Sequence, residues 1–287
     1  MKRTAAPLLF LAAAQLAAFD WPQVQPVQLD SFYSYFGQLR GGTISSSLIF
    51  SEPSEVKAAD GGYLTVIIRE HNDETDFFPS ALGNAVVIAH KDSLLTVYAN
   101  IDAASLDEIN VDRQDVEAGA PLGSTGDSAW QHGNSALEFQ VIDTKNNTAI
   151  NPRLLAPRIG RELPLSISGI VMQGRNGRFY EASRQNALPA GTYRVYARRQ
   201  PTAVPYKTRI SINGTLVDEL LYDLLRQDGN QLCVSGRKNY PKDAVYPDGR
   251  LHLIGEANLA AGHNALQLTL IDILGKETSA LYNLSIY

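Results

Sequence analysis

The chain has 287 residues, enough for two domains with cores of their own, and its 44% hydrophobic and 19% charged residues are those of a globular protein rather than a disordered one. A formal net charge of -5 provides no global basic character, which argues against nucleic acid or an anionic membrane as partner. The single cysteine, Cys233, excludes an intramolecular disulfide, so the fold must rest on packing, with the thiol expected to be buried.

In chain order, Lys2-Arg3 precedes an apolar run rich in Ala and Leu from Ala5 to Phe19, which reads as an export signal. The run is too short and too rich in small residues for a membrane span. Residues 1–18 are therefore assigned as a signal peptide cleaved after Ala17 or Ala18, leaving no stable membrane span. Residues 19–42 form a leader, extended from Pro22 to Pro26, with Phe and Tyr between Ser31 and Gly37 placed to cover one edge of the next domain.

From Thr43 to Asp143 the runs Tyr63 to Arg69, Ala85 to Ala89, Leu94 to Tyr98 and Leu137 to Ile142 have strand length and β-branched content. Glycines at 61, 62, 83, 119, 123, 126 and 133 punctuate them as turns. Asn151-Pro152 closes this region, and Ala156 to Gly160 reads as a linker. Beyond it, Leu165 to Met172, Thr192 to Arg198, Thr208 to Ile212, Leu251 to Ile254, Ala265 to Ile271 and Leu281 to Tyr287 are short strands between turn sequences such as Asn213-Gly214 and Asp248-Gly249, the pattern of a β-sandwich. Val217 to Arg226 is the one helical window, with Leu220, Leu221, Leu224 and Leu225 on one side. Tyr193, Tyr196, Arg198, Arg199, Tyr206 and Lys207 interleave aromatic and basic residues, a pattern that stacks on sugars or is simply the wet face of a strand.

Four segments occur in one order: Val56-Lys57-Ala58, Gly83-Asn84-Ala85-Val86, Tyr98-Ala99-Asn100-Ile101, and Val116 to Gly126 followed by Ala136-Leu137-Glu138-Phe139. This order resembles the LytM-type (lysostaphin-like) zinc endopeptidases that cut peptidoglycan. The resemblance implies a mainly β architecture: a LytM-like antiparallel β domain of the duplicated hybrid motif kind at residues 43–156, then a second domain at residues 161–287. The Asp272 to Lys276 turn is similar to the hairpins of bacterial immunoglobulin-like domains, which makes that second domain an immunoglobulin-like β-sandwich.

Family members hold zinc with the first His and the Asp of His-x-x-x-Asp and the second His of His-x-His, and use two further histidines on the water and transition state. Carried over residue by residue, those positions read Thr43, Ser47 and Glu138, then Ala136 and Asn100. Catalytic zinc needs three lone-pair donors, so no catalytic residue and no zinc are expected, and the five positions become candidates for a binding groove. Displaced ligands are sought at His71 and His132, while His90 at a strand end is read as structural. The implied function is that of an exported, non-catalytic protein of the periplasm or cell envelope, a pseudo-metallopeptidase that binds peptidoglycan or regulates a cell-wall hydrolase. An active peptidase with displaced ligands and a structural assembly protein are the alternatives.

Overall fold

The computed structural model describes residues 19–71, 80–110, 112, 114–131, 133–182, 184–185 and 187–287. The assigned signal peptide at residues 1–18 and His132 lie outside the described residues.

The molecule is built on strands. Ala85–Ala89, Leu94–Ala99 and Glu138–Asp143 lie side by side, flanked by Gly62–Ile68 on one side and Thr148–Ile150 on the other. Alternate side chains of a strand point to opposite faces, and the inward set here, with Val86, Ile88, Tyr98, Phe139 and Val141, is buried in one core. Glu138–Asp143 is central to the arrangement, since its far edge is divided between two partners. Its first three residues pair with Ser47–Phe50 and its last three with Thr148–Ile150. Three aromatic residues of the leader, Phe32, Tyr35 and Phe36, are buried in the same core, while Tyr33 between them is exposed.

Thr148–Ile150 also pairs with Leu224 to Arg226, so the sheet runs without a break into the second half. It continues through Thr215–Asp228, Lys207–Ile212, Gly262–Ile271 and Glu277–Ile286, and fifteen strands among the described residues share it. A second sheet, ordered Phe179–Glu181, Val171–Gly174, Gly191–Arg198 and Leu251–Leu259, contributes Met172, Val195 and Ala257 to a core shared with Ile210, Leu268 and Leu284 of the first. The second half is thus a β-sandwich, two sheets packed over one apolar layer.

Two expectations need correction. Val217 to Arg226 is not a helix; it lies within the strand Thr215–Asp228. Asp218, Leu220 and Tyr222 are buried at alternate positions, and an irregular register between Leu221 and Leu225 shifts the phase so that Leu225 is buried as well. That bulge spreads the leucines over a spacing that imitates a helical face. Strand structure in Leu165 to Met172 begins only at Val171.

The linker is fastened rather than loose. Ala156 is buried, Ile159 packs on the larger core, and Arg153 pairs with Glu162 across the junction beneath the rings of Phe32 and Tyr35. The larger core itself mixes the halves, with Phe36, Leu48 and Phe139 of the first among Tyr196, Tyr222, Tyr246 and Leu253 of the second.

Candidate functional site

At the start of Glu138–Asp143 the register places Gln140 opposite Ser47 and Glu138 opposite Ile49. Directly paired residues share a face of a sheet, so Ser47, Glu138 and Gln140 line the floor of one groove. One wall is a short hairpin, Leu39–Arg40 with Thr43–Ile44, closed by Gly41 and Gly42 at φ 54° and 80°, values that suit glycine. Asn230, Gln231, Lys242 and Asp243 of the second half also line it, where the strand Gln231–Ser235 lies against Thr43–Ile44 of the hairpin. The groove has a volume of about 820 Å³, within the general range of small-molecule and peptide sites.

Glu138 is 5% exposed, and a buried carboxylate needs donors. Trp130 Nε1–H donates to Oε2 at 2.9 Å and Gln140 Nε2–H to Oε1 at 3.2 Å. Arg40 Nη1 lies 3.5 Å from Oε2, and the guanidinium carbon sits 3.1 Å from the centre of the Trp130 ring. The cation is therefore held by a carboxylate and by a π face together. Burial lowers the Arg40 pKa from its ordinary value and Glu138 opposes that shift. Neither Arg40 nor Trp130 belongs to a motif of the sequence pattern, and no local signal pairs residues 90 positions apart.

The five positions singled out in the sequence separate into two groups. Thr43, Ser47 and Glu138 all line the groove. Asn100 and Ala136 do not; both are fully buried, and the expectation that they face a ligand is corrected. Asn100, at φ 67°, donates from Nδ2 to the Ala136 carbonyl at 2.8 Å and accepts at Oδ1 from Ser128 N–H at 2.9 Å and Ser128 Oγ–H at 3.1 Å. A second bond from Nδ2 reaches Asn134 O at 3.4 Å, so the amide ties the loop before Glu138 to the loop carrying Ser128 and has no capacity left for a ligand.

The remaining candidates also find places. His90 engages Gly61 O at 2.9 Å and Thr96 Oγ1 at 2.7 Å through its two ring nitrogens, a structural role. His71 is exposed, and among the described residues no three His, Cys, Asp or Glu side chains converge to hold a metal. Cys233 is buried, and burial, followed by the nearby Asp228 carboxylate, pushes its thiol pKa up, away from nucleophilic character. Tyr193 and Tyr196 are buried and Lys207 pairs with Glu219, so the aromatic and basic run is a core face and a salt-bridged face, and does not form a sugar-stacking platform.

Residues 47–152 match the model of peptidase family M23, and a second family model, which carries no functional description, matches residues 164–287. An uncharacterized protein of Treponema pallidum (strain Nichols) is 34% identical over 136 residues, covering 45% of this chain and 89% of that protein. The chain belongs to one family with that protein, and its residues 47–152 form a peptidase family M23 domain. Among solved structures, a mutant catalytic domain of a prophage-encoded M23 protein from Enterococcus faecalis is similar at 21% identity and a TM-score of 0.33, over 42% of this chain and 87% of that one. A complex of SpoIIIAH and SpoIIQ gives 18% identity and a TM-score of 0.32, over 47% of this chain and 96% of that one. Likenesses at this level add nothing to the family match.

The family implies zinc, and the groove does not offer the donors for it. Of Thr43, Ser47 and Glu138 only the last supplies a carboxylate, and its oxygens are already bound by Arg40, Trp130 and Gln140. Ser47 Oγ is 3.2 Å from Ser45 Oγ, and Thr43 Oγ1–H donates to Arg40 O at 3.1 Å.

Proposed function

We propose that this chain is an exported cell-envelope protein whose M23 domain has lost its zinc centre and works as a binding module for peptidoglycan or for a peptidoglycan hydrolase. The observation that carries this reading is the Arg40–Glu138–Trp130 cluster in the groove, where the family resemblance puts a metal ligand. A zinc ion entering there would meet one carboxylate and two neutral hydroxyls, and would have to displace a guanidinium to reach the carboxylate. Without a metal to lower the pKa of a bound water, amide hydrolysis has no nucleophile at neutral pH.

What remains is a groove of about 820 Å³ with Thr43, Ser47, Gln140 and the Arg40 guanidinium along it and residues of the second half completing its lining. Such a groove recognises an extended peptide through polar contacts without cutting it. The two packed sheets of the second half support the immunoglobulin-like assignment, and the charge pattern of residues 2–19 supports export. Thr43 is exposed on the rim, so Thr43→Trp fills the groove without touching a core. Co-sedimentation with purified peptidoglycan, or capture of a wall hydrolase, is expected for the native protein and lost in Thr43→Trp with circular dichroism unchanged. Undiminished binding by the variant would move the site to another surface.

A further inference from the structure

On the outer face of the four-stranded sheet, Gln173, Arg194 and Glu256 stand in one row across three strands, since Arg194 is the register partner of both others. Toward one end this face is covered: Tyr196 and Leu253 share a core with Tyr240, Val245 and Tyr246 of the following segment. Where that cover stops, a recess of about 350 Å³ is left. Gln173, Thr192 and Arg194 form its floor, the turn Gly174 to Gly177 raises Arg175 on one rim, and Lys238 projects from the other. Gly177 closes the turn at φ 78° and donates its N–H to Gly174 O at 2.9 Å, which sets the position of Arg175.

The charges in the recess are unbalanced. Glu256 accepts from Arg194 Nε at 3.1 Å and from Lys238 Nζ at 2.8 and 2.9 Å, so one carboxylate serves two cations. Arg175 makes no ion pair among the described residues and is exposed. Among the lining residues three cations face one anion; the Asp218 carboxylate lies buried behind Glu256, bonded to the Glu256 N–H at 2.7 Å and the Tyr240 hydroxyl at 2.8 Å, so the charge presented to solvent is positive in a chain whose net charge is -5. A concave site of this sign concentrates small anions, and guanidinium and ammonium groups together suit an oxyanion. The volume is at the lower end of small-molecule sites, about 300–1,000 Å³. The Gln173 amide N–H, the Thr192 hydroxyl oxygen and the turn backbone supply neutral donors and acceptors around the charged groups, while the Thr192 proton goes to Asn258 Oδ1 at 3.2 Å and Gln173 Oε1 accepts from the Tyr196 hydroxyl at 3.5 Å.

We propose that this recess binds an anionic sugar, a saccharide unit bearing a phosphate or a carboxylate. Arg175 and Lys238 receive the oxyanion, Gln173 and Thr192 meet the hydroxyls, and Glu256 holds Arg194 and Lys238 in place while weakening their pull. This site is separate from the groove and stands whether or not the groove binds peptide. Its test is titration calorimetry on the full chain at low salt with glucose 1-phosphate, glucuronate, neutral glucose and inorganic phosphate. One anionic sugar is expected to bind with one-to-one stoichiometry while glucose does not. The rim variant Arg175→Ser with Lys238→Gln, which replaces two exposed side chains and keeps the Tyr240 ring that Lys238 covers, should weaken binding about tenfold with circular dichroism unchanged, and Glu256→Gln should tighten it about threefold or more by releasing both cations. No saturable binding by either anionic sugar, equal binding of glucose, or indifference to the rim variant would overturn the proposal. Inorganic phosphate binding as tightly as the sugar phosphate would overturn the saccharide assignment, and weaker binding in a folded Glu256→Gln protein would overturn the arrangement in which the cations, and not the carboxylate, receive the ligand.

Discussion

Asn100, where the family resemblance puts a histidine, is a structural clamp in this fold. The side-chain amide is fully buried and its backbone is left-handed, a conformation that Asn tolerates better than most residues. Asn100→Ala leaves Ser128 and the Ala136 carbonyl short of partners and is expected to cost about 2–4 kcal/mol, the sum of unmade buried hydrogen bonds and αL strain. Asn100→Gly relieves the strain alone and should fall between, which denaturant titration resolves. His252 makes a second prediction at this scale. It is buried, bonded to the Tyr222 hydroxyl and stacked on Tyr246, and burial followed by the Arg199 charge depresses its pKa to about 3. The unfolded chain therefore takes up a proton near pH 6.5 that the folded chain refuses until about pH 3. Stability from this group is complete above the unfolded value and is lost as pH falls through that window, by up to about 1.4 kcal/mol per pH unit. Asp20, Asp143, Asp248 and Glu256, whose pKa values are depressed, lose their contribution only as pH falls through and below the ordinary carboxylate values of 3.8 and 4.5. The slope between about pH 5 and 6.5 thus isolates His252 and should disappear in His252→Gln.

The strand Thr215–Asp228 is the element that joins the halves, pairing with Thr148–Ile150, Lys207–Ile212 and Gln231–Ser235. Leu225 sits opposite Ala149 in that junction and is fully buried in the shared core. Leu225→Ala is expected to cost about 2–5 kcal/mol, as a large-to-small core change does. Both tryptophans, Trp21 and Trp130, belong to the first half, and Cys233 belongs to the second. Tryptophan fluorescence and thiol accessibility should therefore lose stability together in this variant; a fluorescence midpoint that stays put while the thiol opens early would show that the halves unfold independently. The sequence pattern contains this strand only in part. Its leucines fit a helical stripe as well as a bulged strand, and only its pairing with residues 148–150, more than 70 positions away, decides between them. Shorter strands such as Ala85–Ala89 were legible because length, β-branching and flanking turns agree locally. Glu138 was legible as a candidate because a motif fixes its strand, and Ser47 only by counting back from Val56 without a gap, whereas Arg40 and Trp130 meet Glu138 only through the tertiary fold.

The whole molecule follows from these junctions: an M23 domain whose groove is lined in part by a β-sandwich sharing its sheet and core. The Arg40–Glu138–Trp130 cluster occupies the place where the family resemblance puts a metal ligand. Everything proposed for the groove depends on that replacement. The most direct measurement is zinc content, by elemental mass spectrometry, of tag-free protein purified without chelator and then dialysed after exposure to excess zinc. The account predicts no stoichiometric zinc in the native protein, and its appearance in a variant that restores the family donors, Thr43→His, Ser47→Asp and Glu138→His with Arg40→Ser. One tightly held zinc per native chain, lost on Glu138→Ala or on His71→Ala, would contradict it.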